Sequence, residues 1–413
     1  MLMDSSKKIF WQFPWLYGES FVISFALIII GLAIEILNLG KGVPSPCFPY
    51  NIFIIILLIV LIPLLYFLFH KNTIIKWLSS VPAATASIIS VVILALIMGI
   101  IPQNDKGDIS YLKLIGFNHI FQSWAFAFSC LNLIIVLGFT IVKRISCFKL
   151  QSIGFLFNHL GLWIIMVSAL LGSGDVKKLN FYCYLNEPTN IAYNSAFKTY
   201  SMPFAIQLEK FEIEEYPPYL VLFDNNSGKI LDDKNKMKCE VIKDQKYKIK
   251  NYDIYIKNYI NESIIKDDSC IKSKDIGSFQ SAYLIVKDIN SKNITKGWVS
   301  CGSYKYPPGF LKVDKKYSVA IAEPETKKYR SFLKILEEEN ADTKYDNITI
   351  EVNKPFNYKG WKLYQYSYNA DLGKWSDYSV IQAVYDPWLN FVYLGIYMLI
   401  IGAVFMFWHG KKM

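Results

Sequence analysis

Long apolar runs and one long polar stretch divide the chain. Six runs are apolar and long enough to form helices across a hydrocarbon core, which takes about 20 residues. They are Ser20–Asn38, Ile52–Phe69, Pro82–Ile100, Phe121–Val142, Ile153–Gly172 and Trp388–Trp408. The first run is too long for a cleavable signal peptide and lacks a small-residue cleavage site. We therefore predict a multi-pass α-helical membrane protein with six spans.

Basic residues in the short loops indicate the orientation of the spans, because cytoplasmic loops carry an excess of lysine and arginine. Alternating spans place nine basic residues on one side and three on the other. The nine are Lys7, Lys8, Lys71, Lys76, Lys143, Arg144, Lys149, Lys411 and Lys412, and the three are Lys41, Lys106 and Lys113. This bias predicts that both termini are cytoplasmic and that the polar stretch between spans five and six is extracytoplasmic.

The polar stretch from Ser173 to Asp386 has mainly the pattern of β-strands. Apolar and polar residues alternate in Phe204–Leu208 and in Ile348–Val352, as in half-buried strands. Further strand-like runs are Tyr252–Ile256, Tyr283–Val286, Tyr317–Ala322, Trp361–Tyr368 and Ser379–Tyr385. One helix is predicted at Glu325–Glu339, from the helical spacing of Tyr329, Phe332, Leu333 and Leu336. We expect a β-sandwich or β-barrel of about 200 residues.

These patterns predict three parts. Residues 1–172 form an N-terminal membrane region with five transmembrane helices, residues 173–386 form an extracytoplasmic β-rich domain, and residues 387–413 form a C-terminal transmembrane helix with a short cytoplasmic tail. The chain is 53% hydrophobic and 19% charged, which excludes a disordered chain. Its net charge of +10 comes from lysines that are interspersed with acids. We therefore expect no nucleic acid as a partner. The apolar runs predict membrane lipid as a partner.

Several kinds of chemistry are excluded by missing motifs. The seven cysteines include no Cys-x-x-Cys pair, so a thioredoxin-like site and a covalent c-type haem site are absent. No glycine-rich phosphate-binding motif is present, which leaves nucleotide hydrolysis and dinucleotide redox chemistry without support. Four cysteines of the polar stretch either form disulfides in an oxidising compartment or stay free: Cys183, Cys239, Cys270 and Cys301.

The four histidines differ in their place along the spans. His70 and His409 end spans on the predicted cytoplasmic side and His119 precedes a span on the other side, so we interpret all three as interfacial. Glu35, near the outer end of the first span, is also expected to reach the interface. His159 lies about a third of the way into the fifth span, where ionisable side chains are costly and usually functional. Either it ligates haem or a metal, or it only hydrogen-bonds across helices.

A set of short segments occurs in a characteristic order along the chain. They are Phe13–Phe21, Asn158–Leu162, Gly172–Asp175, Met202–Leu208, Val352–Trp361, Leu363–Gln365 and Asp386–Trp388. The second reads Asn-His-Leu-Gly-Leu, the third Gly-Ser-Gly-Asp and the last Asp-Pro-Trp. In this order they resemble the ResB-like family, also called CcsB, of the System II cytochrome c biogenesis machinery. No single segment is diagnostic, but the ordered set extends over essentially the whole chain.

The resemblance implies a function, a cofactor and partners. Members of the family act with a CcsA-like subunit, also called ResC, to carry haem across the membrane and attach it to the Cys-x-x-Cys-His motif of apocytochrome c. The resemblance implies that His159 binds a transient haem b as an axial ligand of the iron, with a second histidine from the partner. It places the protein in the cell inner (cytoplasmic) membrane, with the large domain on the periplasmic or outer side.

The sequence ends four residues after His409 and contains no tryptophan-rich haem-handling segment and no further CcsA-like spans. We therefore expect an accessory subunit of a holocytochrome c synthase (haem lyase) that has no catalytic residue and is inactive alone, with the polar domain presenting apocytochrome. The alternative is a non-catalytic envelope scaffold or receptor with a membrane-tethered β-domain, in which His159 only packs. A small-solute transporter is least supported, because the spans lack charged or broken-helix features at the midplane.

Overall fold

A computed structural model describes residues 10–103, 110–230, 239–266, 269–339 and 342–409. The chain divides into two compact units. The helical unit comprises Met1–Val176 and Asp386–Met413, and the β unit comprises Lys177–Tyr385. Five basic residues used above to orient the spans lie outside the described residues: Lys7, Lys8, Lys106, Lys411 and Lys412.

The described part of the helical unit contains eight α-helices. They are α1 (Tyr17–Leu37), α2 (Tyr50–Phe69), α3 (Thr73–Leu78), α4 (Val81–Ile100), α5 (Ser110–Leu114), α6 (Trp124–Ser146), α7 (Ile153–Leu171) and α8 (Leu389–His409). Six of these, namely α1, α2, α4, α6, α7 and α8, are long and apolar enough to cross a membrane. They occupy the six predicted apolar runs, so apolar helices of membrane-spanning length are present there, with ends that differ from the predicted ones by a few residues.

The start of α6 shows how local hydrogen bonding sets a helix boundary that hydropathy alone misplaces. The helix begins at Trp124 and not at the predicted Phe121, because Ile120–Gln122 form a short 3₁₀ turn. The side chain of Ser123 then accepts a hydrogen bond from the backbone N–H of Phe126. This cap satisfies one of the amide groups that the first helical turn leaves without an intrahelical acceptor.

α6 lies at the centre of the helical unit. In its most apolar window 67% of the residues are buried, against 11% in α2 and in α8. It packs against α1, α2, α4 and α7, while α8 packs mainly against α7. Three apolar clusters form the core in the described residues, the first containing Leu58, Ile62, Ile134, Phe139 and Val167, the second Ile28, Leu94, Ala125, Phe126 and Cys130, and the third Trp77, Ala83 and Val136.

The β unit contains sixteen strands in the described residues. They are β1 (Lys177–Tyr184), β2 (Pro188–Tyr193), β3 (Thr199–Glu215), β4 (Leu220–Asp224), β5 (Lys246–Ile249), β6 (Tyr252–Lys266), β7 (Ser269–Lys272), β8 (Phe279–Asp288), β9 (Ile294–Ser300), β10 (Leu311–Lys312), β11 (Tyr317–Ile321), β12 (Thr326–Glu339), β13 (Asp342–Glu351), β14 (Phe356–Tyr358), β15 (Trp361–Tyr368) and β16 (Tyr378–Tyr385). Every run that alternates or reads as strand-like in the sequence lies on one of these strands, to within one residue at its end.

The strands form three antiparallel sheets with two apolar cores. The largest has eight strands in the order β13-β12-β3-β2-β1-β16-β15-β14. A second has the order β10-β11-β4, and a third has the order β5-β6-β8-β9 with β7 paired to β6. The large sheet curls, so that Ser331 on β12 reaches Ser379 on β16, with their hydroxyl oxygens 2.8 Å apart. The predicted β-rich domain is thus present, with three sheets in place of a single sandwich or barrel.

The helix predicted at Glu325–Glu339 is wrong, because this segment forms strand β12. It pairs with β3 on one side and β13 on the other. Leu333 and Ile335 point into the core with 0% and 1% exposure. Ser331 and Glu337 point the same way and are also buried. These two polar residues interrupt the apolar alternation, which hides the period of two that a strand normally shows.

Candidate functional site

Glycines allow α7, the helix that carries His159, to pack closely against α8. A Cβ atom added to Gly161 would lie 2.6 Å from the backbone oxygen of Gly395, and one added to Gly402 would lie 2.4 Å from the backbone nitrogen of Asn158. A side-chain carbon cannot occupy either position, so only glycine permits the two backbones to approach this closely. The crossing therefore fixes the position of α7 along α8.

Two hydrogen bonds fix the rotation of α7 about its own axis. Asn158 Nδ2 donates to the backbone oxygen of Leu399 on α8 at 3.3 Å. Trp163 Nε1 donates to the backbone oxygen of Ile134 on α6 at 3.1 Å. His159 precedes Trp163 by four residues and therefore lies on the same face of the helix. The imidazole is held on the side of α7 that faces away from α8.

The imidazole of His159 is half-buried and interacts with its own helix. Its Nδ1 lies 2.9 Å from the backbone oxygen of Phe155. The two rings stack, with centroids 3.6 Å apart and planes inclined by 23°. Because a carbonyl oxygen can only accept, Nδ1 carries the proton and the lone pair is on Nε2. Nε2 has no hydrogen-bond partner among the described residues. The imidazole's hydrogen bond therefore lies within α7 and does not join two helices.

A positive charge lies at the same aromatic ring. Arg144, near the end of α6, places its guanidinium carbon 5.3 Å from the centroid of the Phe155 ring. This is a cation–π contact. The sequence has only one other arginine, Arg330, which lies on strand β12 of the β unit. Phe155 thus contacts both an exposed guanidinium and an imidazole whose second nitrogen is free.

The arrangement fits an iron porphyrin better than a bare metal ion. A neutral imidazole with a free Nε2 is the form that ligates iron, and metal-ligating histidines often donate their other N–H to a backbone carbonyl. A guanidinium such as that of Arg144 is complementary to a carboxylate. A porphyrin brings its own equatorial ligands, whereas a bare ion needs several from the protein. Within the described residues, no three His, Cys, Asp or Glu side chains cluster as a metal site.

The remaining histidines occupy different settings. His70 is exposed at the end of α2, with Nδ1 3.3 Å from the backbone oxygen of Phe67. The side chain of His409 lies outside the described residues. The side chain of His119 is only 13% exposed, and its Nε2 lies 3.2 Å from Glu35 Oε1. His119 is therefore part of a buried pair and not the interfacial residue that its position suggests.

Glu35 is fully buried, contrary to the expectation that it reaches the interface. Its carboxylate accepts hydrogen bonds from the backbone N–H of Gly42 at 2.8 Å and of Trp124 at 3.0 Å, in addition to the contact with His119. Hydrogen-bond donors on every side compensate the loss of water, which is the usual condition for a buried carboxylate. Glu35 thus joins the end of α1 to the start of α6.

Two segments of the family resemblance meet at Asp175. Its Oδ1 accepts from the backbone N–H of Phe48 at 2.7 Å. Its Oδ2 accepts from Asn51 Nδ2 at 2.7 Å and from Trp388 Nε1 at 2.8 Å. A Cβ atom on Gly172 would lie 2.3 Å from the Trp388 ring. The Gly-Ser-Gly-Asp and Asp-Pro-Trp segments therefore join the ends of α2, α7 and α8, a structural role that the sequence pattern alone does not reveal.

The seven cysteines form no disulfide, and burial lowers the reactivity of the four in the β unit. All seven, each of them among the described residues, are free thiols. Burial raises the pKa of the Cys183 thiol to about 12 and also raises the pKa values of Cys239, Cys270 and Cys301. A thiol with a raised pKa is a poor nucleophile and a poor metal ligand. Of the two alternatives left open by the sequence, the structure has the free thiols.

Comparison with known proteins identifies one region of the chain. Residues 273–376 match the model of the ResB-like family. The match confirms the resemblance and lies wholly within the β unit. Two of the resembling segments, Val352–Trp361 and Leu363–Gln365, fall inside it, whereas His159 lies outside. No curated protein sequence matches the chain. The chain thus combines a ResB-like β region with apolar helices of membrane-spanning length.

Proposed function

We propose that this ResB-like protein is the haem-handling and apocytochrome-presenting subunit of a System II cytochrome c synthase. In this proposal it acts with a CcsA-like partner to export haem and attach it to c-type cytochromes. The family match supports a role in cytochrome c biogenesis. The observation that carries the haem-binding part is the free Nε2 of His159, on an imidazole oriented by the backbone oxygen of Phe155.

Each residue of the candidate site has a defined task in the proposal. His159 supplies a neutral axial nitrogen, and Arg144 supplies a positive charge for a propionate. Phe155 holds both by its stacking contacts. The glycine crossing with α8 keeps the imidazole at a fixed depth in the membrane. Haem is the cargo of this site and not a resident cofactor, since it ends on the cysteine thiols of the client.

The proposal assigns the second axial histidine to the CcsA-like partner. His159 lies on the face of α7 that is turned away from α8 and is only half-buried, so another helix can reach it. The hydrogen bond and the ring contact of His159 within the described residues are both with Phe155. A ligand from a second polypeptide would therefore not have to displace an interhelical hydrogen bond.

The proposed orientation places both termini in the cytoplasm and the β unit on the periplasmic or outer side of the inner membrane. The bias of basic residues supports it. Three of the described members of the basic set, Lys71, Lys76 and Lys143, lie at one end of the helix bundle, where Lys143 Nζ donates to the backbone oxygen of Ser79 at 3.0 Å. Glu35 and Asp175 join helix ends that carry few basic residues.

Holocytochrome formation in cells tests the function. The chain is co-expressed with a CcsA-like protein and a reporter apocytochrome that has a Cys-x-x-Cys-His motif, and covalent haem is read from a haem-stained gel. We expect His159→Ala to abolish the covalent product and His70→Ala, which changes an exposed histidine, to retain it. Equal product from the wild type and His159→Ala would contradict the haem-handling role and favour the scaffold.

A further inference from the structure

The β unit contains an open cleft that no sequence motif marks. Its volume is about 400 Å³, and it is lined by the end of β3, by β8, by the loop after β9 and by the loop between β15 and β16. Eighteen of its twenty lining residues fall within the segment that matches the ResB-like family. The cleft is therefore built largely by the region that carries the family match.

The wall of the cleft contains a buried polar side chain, that of Gln280, whose hydrogen-bonding groups are only partly paired. Gln280 on β8 is only 4% exposed. Its Nε2 donates to Glu215 Oε2 at 3.1 Å. Its Oε1 is buried and has no hydrogen-bond partner. A buried acceptor without a donor is unfavourable, and an N–H group of a ligand in the cleft would supply the missing hydrogen bond on reaching this oxygen.

Negative charge predominates around this acceptor. Three carboxyl groups, those of Glu215, Glu323 and Asp371, line the cleft with one ammonium group, that of Lys374. Burial raises the pKa of Glu215, the positive charge of Lys374 lowers it, and the negative charge of Glu323 raises it further. Lys374 lies over the Trp375 ring, 4.6 Å from its centroid, and forms no ion pair with Glu215. The half-buried carboxylate of Glu215 therefore lacks a close cationic partner.

Aromatic rings complete the wall. Tyr304 and Trp375 have ring centroids 6.0 Å apart, and Tyr368 and Phe279 also line the cleft. Aromatic faces attract cations and pack well against aliphatic carbon. An anionic ligand would meet the carboxylate of Glu215. A purely apolar ligand would leave the Gln280 acceptor unpaired.

We propose that this cleft binds a primary ammonium group on an aliphatic stem, the chemistry of a lysine side chain. Glu215 Oε and Gln280 Oε1 accept from the ammonium group, and the aromatic rings contact the stem. A lysine of a client polypeptide and a free alkylamine share this chemistry. We assign the polypeptide, an assignment that rests on the proposed presentation of apocytochrome by the β unit.

Peptide binding to the full-length protein in detergent tests the site. The probe is a fluorescein-labelled pentapeptide with one central lysine between glycines, followed by fluorescence anisotropy. The matched peptide has acetyl-lysine, which keeps the stem and removes the charge. We expect the acetylated peptide to bind at least about ten-fold more weakly, the typical effect of losing a charge-assisted hydrogen bond. Equal binding of the two peptides would overturn the proposal.

Variants of the cleft residues test whether the lysine peptide binds there. Glu215→Gln is isosteric and should weaken the lysine peptide about ten-fold, and Gln280→Leu should weaken it to a similar degree. Glu240→Gln changes an exposed carboxylate outside the cleft and should have no effect. If Gln280→Leu fails to fold, the isosteric Glu215→Gln variant decides alone. Unchanged affinity in Glu215→Gln would overturn the assignment of the site.

Cys301 gives a second readout, because it lines the cleft whereas Cys239 does not. Bound lysine peptide should slow maleimide modification of Cys301 and leave that of Cys239 unchanged, as measured by peptide mass spectrometry. Free n-butylamine should compete only weakly with the peptide. If it competes as tightly as the peptide itself, the ammonium site stands and the polypeptide assignment is overturned.

The proposal for the cleft and the proposed function can be contradicted independently of each other. Haem content of the Glu215→Gln protein, purified with the CcsA-like partner, reports on the haem site of the helical unit and not on the cleft. We expect Glu215→Gln to lose peptide affinity while it keeps haem. Specific lysine-peptide binding by a wild-type complex that holds no haem would contradict the haem role and support the cleft.

Discussion

Polar groups of the two units make different kinds of contact. In the helical unit, Glu35 and Asp175 lie at helix ends and join neighbouring helices. In the β unit, Ser331 and Ser379 hydrogen-bond inside the sheet core, and Gln280 meets Glu215 within a cleft. Apolar surface differs as well, since only 11% of the most apolar window of α2 and of α8 is buried. The β unit instead closes two apolar cores of its own.

This difference indicates where function is to be sought in each unit. An ionisable side chain deep in an apolar helix bundle is exceptional, because no water is present to solvate its charge. His159, with a free Nε2, is such a side chain. In the β unit buried polar groups are common, so only one that lacks a partner stands out. The unpaired Oε1 of Gln280 meets that condition.

The largest expected effect tests the core of the β unit and the strand identity of β12. Leu333→Ala should lower the free energy of unfolding by about 3 kcal/mol, because Leu333 is 0% exposed and its truncation leaves a cavity. Leu336→Ala should cost less than about 1 kcal/mol, because that side chain is only half-buried on the other face. The exchange rates of the backbone amide hydrogens of β3 and β12 measure the loss of stability in each variant. Equal losses of stability would indicate that Leu333 and Leu336 share one face, as they would in a helix, and would contradict the assignment of β12 as a strand.

The next effect tests close packing in the helical unit. Gly161→Ala should destabilise the protein by about 2 kcal/mol, because the added carbon would lie 2.6 Å from the Gly395 oxygen. Gly99→Ala in α4 has nothing within 4 Å and should be neutral or stabilise by up to about 1 kcal/mol. Thermal unfolding in detergent compares the two. Equal shifts of the unfolding temperature would argue against the α7–α8 crossing.

The smallest effect is a contrast in pH dependence between adjacent carboxyl groups of β3. The pKa of Glu215 is raised, so the folded state binds its proton more tightly and stability falls as pH rises through the raised pKa. Glu215→Gln should therefore stabilise the folded protein at neutral pH. The difference in stability between the variant and the wild type should disappear below the ordinary glutamate pKa. Hydrogen bonding to Lys327 lowers the pKa of Glu214.

For Glu214 the pH dependence of stability has the opposite sign. The contribution of Glu214 to stability is present above the ordinary glutamate pKa and is lost as pH falls through the lowered pKa. Glu214→Gln should therefore destabilise slightly at neutral pH and become neutral in acid. Unfolding followed from pH 4 to pH 8 compares the variants, where the two limits are about the range that ordinary carboxyl groups span. Differences of the same sign for both variants would contradict the burial of Glu215.

The sequence predicts the helices well because an apolar run of membrane-spanning length has few alternative folds. It fails at β12, where Ser331 and Glu337 are buried among apolar residues and the spacing of Phe332, Leu333 and Leu336 imitates a helix. Pairing with β3, more than 100 residues earlier in the chain, and with the next strand β13 decides that segment. Pairing between distant residues leaves little trace in a local pattern.

The same limit applies to the sites. His159 is visible in the sequence because one imidazole interrupts an apolar run. Glu35 and His119 are 84 residues apart, and their pairing shows only in the structure. The cleft combines Glu215, Gln280 and Lys374 from three separate elements, and none of the three stands in a recognisable motif. A single exceptional residue can be found from sequence, whereas a constellation of ordinary residues cannot.

The visible absorption spectrum of the complex with a CcsA-like partner tests the central claim most directly. The wild type should show bis-histidine haem, and His159→Gly should lose that signature and regain it when imidazole is added to fill the vacated ligand position. His70→Gly, at an exposed histidine, should match the wild type. A bis-histidine spectrum that His159→Gly leaves unchanged without imidazole would contradict the assignment of His159 as an axial ligand.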